Sequence, residues 1–122
     1  MSTSSVLVIE DEPSAREALC ELINVFGFEA IPTQNGWEAL KYLHSCDNLP
    51  RLILLDLVMP IMTGLEFRQA QMRDTLLAQI PVIVLTASNP SEWGDLDRTT
   101  VMRKPVDILE LSARVREQCA AA

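Results

Sequence analysis

The chain holds one histidine, four glycines, three cysteines and only 5% aromatic residues, and each scarcity closes off a class of function. Gly27, Gly36, Gly64 and Gly94 lie too far apart to form the glycine-rich loop of a Rossmann or P-loop nucleotide site. Cys20, Cys46 and Cys119 form no CxxC pair, which fits reduced thiols packed as small hydrophobes and not a disulfide framework. His44, the single imidazole, reads as a surface residue at a helix end, not as a base or phosphate carrier. Trp37 and Trp93 stand alone, and the sequence assigns neither a function.

Positive charge is also scarce. Ten Lys and Arg oppose 17 Asp and Glu for a net charge of −7, and Arg103 and Lys104 are the only adjacent pair. No basic stripe exists to neutralise phosphates, so direct nucleic-acid binding is not expected. Long apolar runs are missing as well: the N-terminus has no basic region and reaches acid after Val6-Leu7-Val8-Ile9. That pattern makes neither a signal peptide nor a membrane span, and the expected location is the cytoplasm. At 122 residues the chain has room for one domain with a real core, expected to span 1–122 with no output domain.

What is present is alternation. Val6 to Ile9, Leu52 to Leu55 and Val82 to Leu85 are short continuous apolar runs, the mark of parallel strands covered on both faces. Weaker strands are expected at Phe28 to Ile31 and Thr100 to Met102. Between the first two, Pro13 opens a helix, Leu19, Leu22, Ile23 and Phe26 form its apolar stripe, and Gly27 ends it. A second helix is expected from about Trp37 to His44, with Ala39, Leu40 and Leu43 inward, and a third after Gly64 through Leu65, Phe67 and Met72. In the last, Asp107 and Glu110 have capping-box spacing, and Ile108, Leu111 and Val115 set the buried face. Alternating strands and helices predict an α/β protein: a parallel sheet with helices on both faces.

The stretch "RLILLDLVMP" then poses a problem, because Asp56 stands inside an apolar run. A lone carboxylate in a core costs several kcal/mol unless it is paired or neutralised. In an open α/β sheet the carboxyl ends of the strands form the ligand edge, and Glu10-Asp11-Glu12, Asp56, Thr86 and Lys104 all follow strands there. Taken alone, the acidic triplet reads equally well as solvated acid at a helix N-terminus. Together the four strand ends make one acidic cluster with a hydroxyl and an ammonium. Carboxylates so close repel unless cations intervene; Lys104 offsets part of that charge and a hard divalent ion more. Oxygen ligands without His or Cys at any strand end suit Mg²⁺ better than zinc.

These motifs resemble the receiver (CheY-like) domain of bacterial two-component response regulators over nearly the whole chain. The matching stretches are "VLVIEDE", "LILLDLVMPIMTG", "VIVLTA" and "RKP", with Asp11 and Asp56 separated by 45 positions and Asp56 and Thr86 by 30. The resemblance implies a flavodoxin-like, doubly wound five-stranded sheet of order 2-1-3-4-5. It also implies that Asp56 is the phosphoacceptor, taking a phosphoryl group from a sensor histidine kinase or histidine phosphotransferase. Asp11 and Asp56 would hold Mg²⁺ directly, Glu10 through water and Val58 through its backbone carbonyl. Thr86 and Lys104 would contact the phosphoryl group, Ala87 would leave room for the donor, and Pro105 would follow a cis peptide bond. Such a domain assists its own phosphorylation but is not a turnover enzyme. The downstream protein partner is not legible. The rival reading is a receiver-like interaction module independent of phosphate. A more remote one, an aspartate-based phosphatase, lacks the second acid it needs, since Val58 holds that position.

The sequence also departs from the family. The positions two after the acceptor and two after the hydroxyl residue, Val58 and Ser88, are neither amide nor acid, so hydrolysis of the aspartyl phosphate is expected to be slow. Val101 stands where the family carries a switching aromatic. Only 18 positions separate Thr86 from Lys104, and "SNPSEWGDLD" between them is rich in turn formers, so the helix between the fourth and fifth strands is expected to be short or absent.

Overall fold

The computed structural model describes residues 4–57, 59, 62–94, 96 and 101–120. Five strands form one parallel sheet: β1 (Ser5–Ile9), β2 (Glu29–Thr33), β3 (Leu52–Asp56), β4 (Val82–Thr86) and β5 (Val101–Arg103), in the order β2-β1-β3-β4-β5. Four α-helices connect or follow them: α1 (Pro13–Val25), α2 (Gly36–Ser45), α3 (Gly64–Met72) and α4 (Ile108–Ala120). Parallel pairing needs such crossovers, because a tight turn only reverses the chain.

The apolar runs work because they are apolar on both sides. Leu7, Ile9, Ile53, Leu55, Val82 and Val84 point to one face, where Ala39 and Leu43 of α2 and Phe67 of α3 cover them. Val6, Val8, Leu52, Leu54, Ile83 and Leu85 point to the other, against Ile23 of α1 and Leu111, Val115 and Cys119 of α4. Strand residues of alternating parity thus feed two separate cores, which is the physical content of a doubly wound sheet. At roughly 1.5–3 kcal/mol per fully buried aliphatic side chain, these two layers dominate the favourable side of folding.

The expected helix between β4 and β5 is reduced to a single 3₁₀ turn, Pro90–Glu92, among the described residues. A second 3₁₀ turn, Leu77–Gln79, precedes β4. The strand at the sheet's edge runs over Glu29–Thr33 and not Phe28 to Ile31, and so includes Pro32. An edge strand tolerates a residue without an N–H, and the buried Thr33 hydroxyl anchors its end by donating to the Val8 carbonyl at 2.9 Å. β5 begins at Val101; Thr100 lies outside the described residues.

Two helix-end residues are open to solvent, against the buried place expected of Ile108. Met72, at the last turn of α3, is 54% exposed, and Ile108, at the first turn of α4, is equally so. Both overhang the sheet at helix ends, and the buried stripe of α4 is Leu111, Val115 and Cys119 instead.

Candidate functional site

The site is assembled from the ends of β1, β3, β4 and β5. The loop after β1 splits the acidic triplet. Glu12 turns away to cap α1, its carboxylate accepting from the Ala15 amide at 2.6 Å. Glu10 and Asp11 remain, and with Asp56 they bring three carboxylate oxygens within 4.8 Å of one another. Arg16, on the first turns of α1, fixes this loop from behind: its guanidinium donates to the carbonyls of Glu10 at 3.0 Å and Asp11 at 3.4 Å. The only mark of this role in the sequence is the place of Arg16, five positions after Asp11 on a helix that starts at Pro13.

Glu10 is the unusual member, because only 2% of it is exposed. Burial works to raise its carboxyl. The hydrogen bond with Asp56, the Lys104 ammonium and the Glu12 amide outweigh that effect, and the net shift is downward. The Lys104 Nζ lies 3.3 Å from Glu10 Oε1 and 3.9 Å from Asp56 Oδ1, so one cation serves two carboxylates on neighbouring strands. Lys104 leaves β5 just before a cis peptide bond to Pro105, and its amide donates to the Thr86 carbonyl at 2.9 Å.

On the β4 side, Thr86 is 1% exposed and ends its strand facing Arg103 in the register of β5. Its hydroxyl oxygen accepts from the Ser88 amide at 3.0 Å and lies 2.7 Å from Ser88 Oγ. Ala87 between them is exposed. Val101 is buried in the core beside Trp93, whose indole donates to the Ser88 carbonyl at 3.3 Å. Val58, expected as a carbonyl ligand and as the neighbour of an attacking water, lies outside the described residues. Met59 is buried and Met62 packs against the same core.

The acidic cluster suits a hard cation on the chemistry of its donors: three carboxylates, and no imidazole or thiolate among them. Among the described residues a single ammonium, at 3.3 and 3.9 Å, faces three carboxylates, so room for further positive charge is electrostatic as well as compositional.

Fold and site together define a sheet-edge carboxylate centre with an attendant lysine and threonine. The sequence description of the response regulator receiver domain matches residues 6–116, and the chain belongs to that family. It is 30% identical over 120 residues to the phosphate regulon transcriptional regulatory protein PhoB of Pseudomonas aeruginosa, a match covering 95% of this chain and 52% of PhoB. The chain therefore spans about half the length of that relative. Among solved structures it is similar to the signal receiver domain of a signal transduction histidine kinase from Syntrophus aciditrophicus, with TM-score 0.84, 28% identity, and 98% and 92% of the two chains covered. It shares its fold with the receiver domain of a sensor histidine kinase from Pseudomonas aeruginosa, described with a magnesium ion coordinated in the active site cleft; the TM-score is 0.82 at 19% identity, over 98% of this chain and all of that one.

Proposed function

We propose that this receiver domain accepts a phosphoryl group on Asp56 from a phosphohistidine of a sensor kinase or histidine phosphotransferase. The observation that carries the reading is the Lys104 ammonium bridging Glu10 and Asp56 beside Asp11, at the carboxyl edge of the sheet. In the step, an Asp56 carboxylate oxygen attacks phosphorus and an O–P bond forms. The P–N bond to the donor imidazole breaks, and its electron pair stays on the departing ring nitrogen. The product is an aspartyl phosphate, which Lys104 steadies by charge and the Thr86 hydroxyl by a hydrogen bond.

Such transfers depend on positioning and charge neutralisation more than on covalent help. Asp11 and Asp56 would hold Mg²⁺, with Glu10 acting through water, and the ion supplies positive charge toward the phosphoryl oxygens when bound. Its affinity should be weak, because Mg²⁺ gives up water reluctantly. The domain is phosphorylated once per signalling event and does not turn over a substrate. Its place of action is the cytoplasm, in keeping with a chain whose described helices are all too short or polar to cross a membrane.

The test is incubation with acetyl phosphate and Mg²⁺ followed by intact mass. The expected result is one added phosphoryl group, lost in Asp56→Ala and in Asp11→Asn. Phosphorylation of Asp11→Asn at the wild-type rate would show the assigned site to be wrong, and an unmodified wild-type chain would favour a phosphate-independent interaction module.

A further inference from the structure

A chain of hydrogen bonds leaves the site on the β4 side and ends in the core. Thr86 Oγ1 accepts from the Ser88 amide at 3.0 Å and is hydrogen-bonded to Ser88 Oγ at 2.7 Å, where either hydroxyl can donate. The carbonyl of the same Ser88 accepts from the Trp93 indole at 3.3 Å. Trp93 is only 6% exposed and sits in one apolar cluster with Val84 and Val101. Gly94 follows it with φ +58°, a conformation that favours glycine, and turns the chain against Leu65. Ser88 is thus held from both sides, by the site threonine and by a buried indole.

A hydroxyl has one proton and two acceptor directions. The Ser88 amide occupies one acceptor direction of Thr86. A phosphoryl oxygen only accepts, so Thr86 can engage it only by donating its single proton. The two demands are compatible in one arrangement: the Ser88 hydroxyl donates into the second acceptor direction of Thr86 and leaves the Thr86 proton for the phosphoryl group.

We propose that Ser88 is a positioning residue, orienting the Thr86 hydroxyl toward a phosphoryl group on Asp56 and passing the resulting shift to Trp93 through its own carbonyl. The proposal rests on the phosphoacceptor reading given above. Its physical basis is the short tether. Ser88 is bonded to Thr86 twice within two residues, so a turn of the Thr86 side chain drags the Ser88 backbone. The indole is fixed by the core, and its bond at 3.3 Å must lengthen or be remade. Hydrogen bonds weaken steeply as they lengthen or bend, so the indole environment responds in either case.

The experiment uses the full chain carrying Trp37→Phe, which leaves Trp93 as the single indole. One arm needs no phosphoryl group: hydrogen exchange of the Trp93 indole N–H is followed by NMR. Thr86→Val removes the acceptor that holds Ser88, and exchange should quicken several-fold; unchanged exchange overturns the relay even if the protein is never phosphorylated. The second arm follows Trp93 fluorescence on adding beryllofluoride with Mg²⁺, scaled to the phosphorylated fraction that intact mass gives with acetyl phosphate. Ser88→Ala should lose at least half of the response and Ser88→Thr should recover it. A full response in Ser88→Ala, with mass confirming phosphorylation, removes Ser88 from the relay. Absence of any mass gain in every variant counts against the phosphoacceptor reading, and the exchange arm still decides the coupling.

Discussion

Gln71 illustrates how a single polar side chain holds a loop in place. It is fully buried in α3, and its amide nitrogen donates to the carbonyls of Leu77 at 2.8 Å and Ile80 at 3.1 Å, while its amide oxygen accepts from Arg68 at 2.7 Å. Those carbonyls belong to the connection that leads into β4, so Gln71 satisfies backbone groups that no ladder reaches. Gln71→Leu would take the side-chain donor from the Ile80 carbonyl, while the Leu77 carbonyl would keep the Ile80 amide at 3.1 Å. The expected loss is about 2 kcal/mol, read as a lower urea midpoint with the slope unchanged. Cys119 is a second residue whose burial sets its chemistry. Burial pushes its thiol up against the pull of the Arg51 guanidinium, so the folded value lies above the ordinary 9.0. Stability linked to this thiol is therefore complete below the unfolded pKa and is lost as pH rises toward the folded one. The urea midpoint should hold to about pH 8 and fall by about pH 10, with part of that fall missing in Cys119→Ala. The packing of Cys119 as a small hydrophobe was legible in the sequence, and the role of Gln71 was not. A glutamine in a weakly amphipathic helix carries no mark of burial, and the partners of Gln71 are carbonyls whose placement depends on the fold. The site residues were easier, because Asp56, Thr86 and Lys104 each follow an apolar run and strand polarity alone gathers them at one edge.

Caps and close approaches decide how the elements meet the site. The reciprocal capping box at the start of α3, in which Thr63 accepts from the Glu66 amide at 3.1 Å and the Glu66 carboxylate accepts from the Thr63 amide at 2.9 Å, lay unread in the sequence. The pair read from spacing at α4 is made in one direction, Asp107 accepting from the Glu110 amide at 3.0 Å, while the Glu110 carboxylate pairs with Arg114 at 3.1 Å. Spacing permits a box; competing partners decide whether it closes. The strand cores were legible because a sheet covered on both faces admits few polar residues, whereas helix-end residues such as Ile108 depend on how far a helix overhangs the sheet. Gly64 shows an element joined to the site by contact. A Cβ there would lie 2.7 Å from Leu57 Cα and 2.8 Å from the Asp56 carbonyl oxygen, both backbone atoms that cannot swing aside. Gly64→Ala must therefore push α3 away from the end of β3. We expect it to lower stability by roughly 1–3 kcal/mol, as overpacking does, and to slow phosphorylation by acetyl phosphate beyond what a lower folded fraction explains. Ala at Gly64 with wild-type labelling kinetics would show that the acceptor loop does not depend on this approach.

At the scale of the molecule, the asymmetry between the two sides of the sheet directs where a signal can travel. α1 and α4 cover one face, α2 and α3 the other, and the connection from β4 to β5 contributes a 3₁₀ turn in place of a helix among the described residues. Among the described residues no α-helix thus stands between β4 and β5 to flank β5 and α4. Val101, buried where the family has a switching ring, cannot swing between inside and outside with a comparable change of surface. An aromatic is nonetheless present in the same cluster, since Trp93 belongs to it and is tied to the loop of Thr86. The change on phosphorylation should therefore gather in the loops at the carboxyl ends of β3 and β4 and leave α4 largely as it is. Hydrogen exchange read by mass spectrometry, with and without beryllofluoride and Mg²⁺, should show altered protection over residues 62–66 and 86–94, with the peptides of α4 nearly superimposable. The same samples should stay at one mass by light scattering. Protection rising chiefly along residues 101–119, with a doubled mass, would mean that β5 and α4 form the output face after all.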